Sequence, residues 1–195
     1  MTTRSSTPVI RVIVGSTRPV RIGDQIADVV ARQMREAVDA HVDIVDLREL
    51  GLPLLDEPRM PALGDYAHGH TRDWAELVAT SDAIVVISPQ YNGGYPASVK
   101  NAIDYLFAEW RDKPLLLVTY GGHGGGMAAA QLRQVLEFIG ADVLPGGVEI
   151  VLGRDDYGDD NRLRDPDRSL APVGDAVRAA VVALVDRVGV SELAV

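Results

Sequence analysis

Two arginines, Arg18 and Arg21, stand with Ser16 and Thr17 in the stretch Gly15-Ser16-Thr17-Arg18-Pro19-Val20-Arg21-Ile22-Gly23. Guanidinium groups bind an oxyanion two oxygens at a time, and hydroxyls add further donors. The stretch follows the apolar run Val9 to Val14 and leads into a helix period beginning near Asp24. A helix N-terminus has unpaired amides and the positive end of its dipole, so this loop is suited to a phosphate. It has neither the lysine and glycine spacing of a nucleotide P-loop nor the Gly-x-Gly-x-x-Gly of dinucleotide binders. The plainer alternative is that both arginines are solvated on a loop. Asp24 suits the helix dipole but opposes a nearby phosphate, so its carboxylate is expected to face solvent.

A second loop, Pro89-Gln90-Tyr91-Asn92-Gly93-Gly94-Tyr95-Pro96, follows the buried run Asp82 to Ile87. It offers amides, two phenol rings and no nucleophile, which suits a flat ligand with polar edges. An ordinary strand-to-helix connection is the alternative. A third loop, Gly121-Gly122-His123-Gly124-Gly125-Gly126, lets a ligand approach the backbone closely. His123 is read as a cap on that loop rather than a proton donor. His68 and His70 form too small a set for a metal site, and none is expected. Lys100 and Asp104, four apart, read as a surface ion pair, and Trp74 and Trp110 as packing or interface residues.

These loops need a scaffold that gathers them. Val9–Val14, Asp82–Ile87, Pro114–Tyr120 and Ala141–Val151 read as strands, and Val42–Leu47, which alternates polar and apolar residues, as a half-exposed edge strand. Helix periods run from Asp24 to Val38, Thr71 to Thr80, Val99 to Leu106, up to a stop at Gly140, and from Ala171 to Val188. Strand and helix alternate, which predicts an α/β fold with a parallel sheet covered on both faces. Ligands of such sheets sit beyond the carboxyl ends of the strands, where all three loops begin. The whole chain, 1–195, is expected to form one domain, with residues 1–8 as a mobile tail. The stretch Arg48 to His70, interrupted by prolines, is expected to be a mobile cover over the substrate side. Arg154 to Arg168, with six aspartates and four arginines, reads as a solvated loop.

Composition narrows the function further. Nineteen basic residues against 28 acidic ones give a net charge of −9, which disfavours a broad nucleic-acid surface. The sequence has no cysteine, so disulfides and thiolate chemistry are excluded. No membrane span or secretion signal is recognised, and a cytoplasmic location is expected. Tyr105, Leu106, Phe107 and Trp110 exceed what one buried helix face needs and predict an interface between subunits.

Taken together, Gly15-Ser16-Thr17-Arg18 with Arg21 and Gly23, Pro89-Gln90-Tyr91-Asn92 with Gly94-Tyr95-Pro96 and Lys100-Asn101-Ala102-Ile103-Asp104, and Tyr120 to Gly125 resemble the NADPH-dependent FMN reductases. That family includes quinone, azo and chromate reductases. The resemblance, from Val9 to about Val151, implies a flavodoxin-like, doubly wound five-stranded sheet of order 2-1-3-4-5 and a non-covalent FMN. Ser16, Arg18, Arg21, Ile22 and Gly23 would hold the phosphate and ribityl chain. Pro89, Gln90, Tyr91, Asn92 and Gly93 would line the ring edge, with Gly121 and Gly122 near the pyrimidine end. NADPH or NADH would deliver hydride to the flavin, and a quinone, azo compound, metal oxyanion or free flavin would accept it. No protein side chain is then needed as a catalyst. A homodimer or tetramer is implied. Many members have glutamate where Gln90 stands, and close relatives often have a bulky aromatic where Gly93 stands, so this glycine should open space beside the ring. A flavodoxin-type carrier, or a flavin-binding sensor without turnover, is the alternative.

Overall fold

The computed structural model describes residues 7–191. Residues 1–6 of the expected tail lie outside the described residues. Five parallel strands run in the order β2-β1-β3-β4-β5, with a sixth, β6, also on β4. They are β1 (Val9–Val14), β2 (His41–Asp46), β3 (Ala83–Pro89), β4 (Pro114–Gly121), β5 (Asp142–Val143) and β6 (Val148–Val151). This is the expected doubly wound order with one difference. The single strand expected over Ala141–Val151 is broken at Leu144 to Gly147. Pro145 there has no N–H for the ladder, and a Cβ on Gly147 would lie 2.8 Å from the Leu117 carbonyl oxygen.

The alternation of apolar side chains along β1, β3 and β4 separates two cores. On one face Val12, Val85 and Leu116 meet Ile26 and Val30 of α1 (Gly23–Ala37) and Val181 and Leu184 of α7 (Gly174–Ser191). On the other, Ile84, Val86 and Leu117 meet α3 (Gly69–Ala79), α4 (Ala97–Asp104) and α5 (Gly126–Phe138). Helix α5 ends as expected at Gly140, whose φ of 88° places it in the left-handed region. There the Ala141 and Gly140 amides donate to the Leu136 and Glu137 carbonyls, both at 3.0 Å. Among the described residues no helix is long and apolar enough to cross a membrane.

Three of the four residues on which the interface expectation rests are used inside the chain, and Phe107 is half-buried. Tyr105, Leu106 and Trp110 are 0%, 2% and 1% exposed. Trp110 meets Trp74 edge-on with ring centroids 6.0 Å apart, and the two indole N–H groups donate to the Ile103 and Ala102 carbonyls. Both tryptophans are therefore packing residues. The connection 48–70 lies against α4, and Asn101 holds it by accepting from the Leu55 amide at 2.9 Å and donating to the Pro53 carbonyl at 2.7 Å. The Tyr105 hydroxyl donates to Asp56 at 2.9 Å, and His70 Nε2 lies 3.0 Å from the same carboxylate. This connection also includes part of the single turn α2 (Leu47–Leu50) and a 3-10 turn, Pro61–Leu63.

Replacing Trp74 with Ala is expected to cost about 3–5 kcal/mol, because it leaves a cavity and an unpaired Ala102 carbonyl. Urea unfolding measures this, and a cost below about 1 kcal/mol would mean the tryptophan pair is not a main packing contact.

Candidate active site

Register aligns the three loops. Val14 pairs with Ile87, Pro89 with Tyr120, and Gly121 with Val151. The carboxyl ends of β1, β3 and β4 therefore open side by side onto a cavity of about 660 Å³. Of the residues expected at a site, Ser16, Arg18, Arg21, Ile22, Pro89, Gln90, Tyr91 and Gly121 line it. Val20, Tyr120, Tyr157 and Asn161 join them. Gly23, Asn92, Gly93 and Gly122 are not among the lining residues.

Close packing shapes the first loop. The Gly15 amide donates to the Ile87 carbonyl at 2.9 Å, and a Cβ on Gly15 would lie 2.5 Å from Val99 Cγ2. Ser16 is 1% exposed, and its hydroxyl lies 2.6 Å from the Tyr91 hydroxyl, joining the first loop to the second. The α1 N-cap, Ile22, provides no side-chain acceptor for the first-turn amides. Gly23 opens α1, and a Cβ there would come within 2.8 Å of the Tyr120 hydroxyl. Burial, and then the neighbouring Tyr91, push the Tyr120 phenol well above its ordinary pKa, so it stays neutral.

The two arginines do different things. Arg18 is exposed, and its guanidinium lies 5.9 Å from the centre of the Tyr91 ring. Among the described residues it forms no ion pair. Arg21 is buried and paired with Asp46 at both ends of its fork, with Nη1 2.8 Å from Oδ1. The same Nη1 donates to the Ser16 carbonyl at 2.8 Å. Arg21 borders the cavity, yet its charge is matched by Asp46. A phosphate at this loop would have to share Arg21 with Asp46, whereas Arg18 has no such partner among the described residues.

The second loop turns at Asn92 and Gly93, whose φ values are 51° and 83°. Tyr91 and Gly94 exchange both backbone hydrogen bonds around them, at 2.8 and 3.0 Å. Two left-handed residues between a bridged pair make a type I′ turn, which favours Asn-Gly. Both residues therefore serve the turn, and the sequence carried that signal. Met127 of α5 reaches over it, with Cε 3.2 Å from where a Gly93 Cβ would stand, so the space expected beside the ring is partly filled. Gln90 caps α5, and its Oε1 accepts from the Met127 and Ala128 amides at 3.1 and 3.2 Å. This ties the second loop to the third. His123 is exposed, and no hydrogen bond makes it a cap among the described residues.

The stretch 154–168 is not simply a solvated loop. Tyr157 and Leu163 form an antiparallel bridge, Leu163 is 4% exposed, and Tyr157 and Asn161 reach the cavity. Nor does Asp24 simply face solvent: Oδ2 accepts from Arg162 at 3.0 Å, and Oδ1 is buried without a partner. The expected cover, by contrast, contributes nothing to this cavity. Its Leu52 and Leu54 line a separate space of about 250 Å³ with Thr17, Ala97, Ser98 and Asn101.

One cavity thus joins an exposed cation, a buried hydroxyl and an uncapped helix start to a wall of aromatic rings and backbone. Residues 8–153 match the NADPH-dependent FMN reductases, and the chain belongs to that family. It is 44% identical over 151 residues to an NAD(P)H-dependent FMN reductase of Schizosaccharomyces pombe, covering 76% of each chain. It is 41% identical over 152 residues to one of Saccharomyces cerevisiae, covering 72% of this chain and 79% of the relative. Among solved structures, the flavoenzyme NAD(P)H:(acceptor) oxidoreductase FerB of Paracoccus denitrificans superposes with a TM-score of 0.71 at 23% identity. That superposition covers 94% of this chain and 98% of FerB, and supports the fold. The protein is an oxidoreductase that uses FMN and a nicotinamide co-substrate.

Arg21→Ala is expected to destabilise the fold by about 3–5 kcal/mol, since it strands the Asp46 carboxylate. Arg21→Met with Asp46→Leu should recover most of that loss. Chemical unfolding of the three variants checks this, and a small effect of Arg21→Ala would return that residue to the ligand's side of the loop.

Proposed function

We propose that the 660 Å³ cavity holds FMN with its phosphate at the first loop and its ring against the second and third, and that the acceptor is a small quinone. The observation that carries this is the joining, in one cavity, of Ser16, Arg18 and the uncapped start of α1 to Pro89, Gln90, Tyr91 and Gly121. The fit is chemical at both ends. An anion gains the Arg18 charge and the first-turn amides of α1, while a flat ring gains an apolar wall. The volume lies within the range of small-molecule sites.

When bound, FMN supplies the redox chemistry, taking a hydride from NAD(P)H and giving two electrons to the acceptor. Arg18, in no ion pair among the described residues and beside the Tyr91 ring, binds and orients the phosphate. The Ser16 hydroxyl, fixed by Tyr91, donates to the same group. Gln90 has its Oε1 occupied by α5, which leaves its Nε2 to donate at the ring edge. Tyr120, kept neutral by burial, adds no negative charge beside the cofactor. Nicotinamide and quinone then occupy the space beside the ring in turn. Met127, flexible and polarisable, adapts that space to acceptors of different shape.

Two measurements test this. With FMN and a benzoquinone, initial rates of NADPH oxidation should give parallel double-reciprocal lines. Intersecting lines would mean that both substrates bind together. Second, Arg18→Ala should raise the FMN dissociation constant about 10- to 150-fold, the worth of one charge-assisted contact of about 1.5–3 kcal/mol. Riboflavin, which has no phosphate, should respond by less than about twofold. Equal losses for both flavins would place the phosphate elsewhere.

A further inference from the structure

The stretch 153–165 lies almost wholly beyond the family match, which ends at residue 153. It is nonetheless built as a wall of the cavity. Tyr157 and Leu163 bridge, the Gly158 amide donates to the Arg162 carbonyl at 2.8 Å, and the Asn161 amide donates back to Gly158 at 3.0 Å. Gln25 of α1 clasps Leu163: its Oε1 accepts from the Leu163 amide at 2.9 Å, and its Nε2 donates to the Leu163 carbonyl at 3.0 Å. From the adjoining position Arg162 reaches the first loop. Its Nη1 donates to the Arg21 carbonyl at 2.9 Å, and its Nη2 to Asp24 Oδ2 at 3.0 Å.

Asp24 is the second residue of α1, where a carboxylate favours the helix dipole but competes with any other anion for the same amides. Its Oδ1 is buried with no partner, so Arg162 is the one side chain balancing it among the described residues. We propose that Arg162 is a positioning residue for the cofactor phosphate. It neutralises Asp24 and holds the loop 153–165 closed on α1, so that a dianion can occupy the N-terminus that Asp24 would otherwise guard. Tyr157 and Asn161 then stand at the cavity as additional polar partners for the phosphate and ribityl chain. Burial raises the pKa of the Tyr157 phenol, and so does Asp156, while Arg18 opposes them. The phenol therefore remains a hydrogen-bond donor. The inference rests on the placement of FMN given above, and it adds a charge balance drawn from outside the matched region.

The test is flavin affinity, read by fluorescence titration of apo-protein whose fold is checked by circular dichroism. Arg162→Ala should weaken FMN roughly tenfold, as expected for an uncompensated like charge near the phosphate. Riboflavin should change by less than about twofold, since it has no charge to repel. Adding Asp24→Asn to Arg162→Ala should bring FMN affinity back to within about threefold of wild type. Asp24→Asn alone should bind FMN at least as tightly as wild type, and this variant decides the matter even if Arg162→Ala does not fold. Unchanged FMN affinity in Arg162→Ala, equal losses for the two flavins, absence of rescue, or weaker FMN binding by Asp24→Asn would each overturn the proposal. If any of these occurs while Arg18→Ala still weakens FMN selectively, only the role of Arg162 falls. If Arg18→Ala fails as well, the phosphate placement is wrong and the proposal falls with it.

Discussion

The Arg21–Asp46 pair is the interaction on which the site depends. Asp46 is the last residue of β2, directly opposite Val14 at the end of β1. Arg21 returns from the far side of the first loop to meet it, and on the way holds the Ser16 carbonyl. With side-chain exposures of 7% and 10%, the pair is nearly dry. An ion pair in that setting adds little stability over an apolar replacement, but breaking it by removing one partner is costly. Its effect is to fix one path for the loop. On that path Ser16 points at Tyr91, Arg18 is left facing the cavity, and α1 starts without a cap.

Charge placement follows from this. In a chain of net charge −9, an anion site needs its cations protected from the surrounding carboxylates. Arg21 is occupied by Asp46, Arg162 occupies Asp24, and among the described residues Arg18 has no carboxylate partner. A cation with no carboxylate beside it attracts phosphate without first breaking an ion pair. The cation next to an aromatic ring is also the one that sequence spacing alone could not distinguish from its neighbour.

Much of the scaffold was legible in the sequence because it depends on local pattern. The β-branched runs Val9–Val14 and Asp82–Ile87 are buried on both faces and have few other stable uses, and Gly140 marks a helix stop through its φ alone. What is not legible depends on contacts distant in sequence. Nothing near Arg21 indicates that Asp46, 25 residues later, takes its charge. The excess apolar surface of Tyr105, Leu106 and Trp110 suggests an interface until the connection 48–70 and Trp74 are seen to cover it. Tyr157 and Asn161 were hidden by their setting, since six aspartates and four arginines within fifteen residues look like a solvated loop. Two of those charges instead cross to α1, Arg162 to Asp24 and Asp167 to Arg32. Asn92-Gly93 is legible as turn chemistry, and its backbone geometry is that of a turn.

The central claim is that phosphate recognition lies at the end of β1, next to the Arg21–Asp46 pair, and that the ring lies toward β3 and β4. A crystal structure of the FMN complex tests it most directly. The account predicts phosphorus density within hydrogen-bond reach of the Ser16 hydroxyl, the Arg18 guanidinium and the first amides of α1, with Arg21 still bound to Asp46. Phosphorus density against the Gly121 to Gly126 loop, or an Arg21 that has left Asp46 to bind the phosphate, would contradict it.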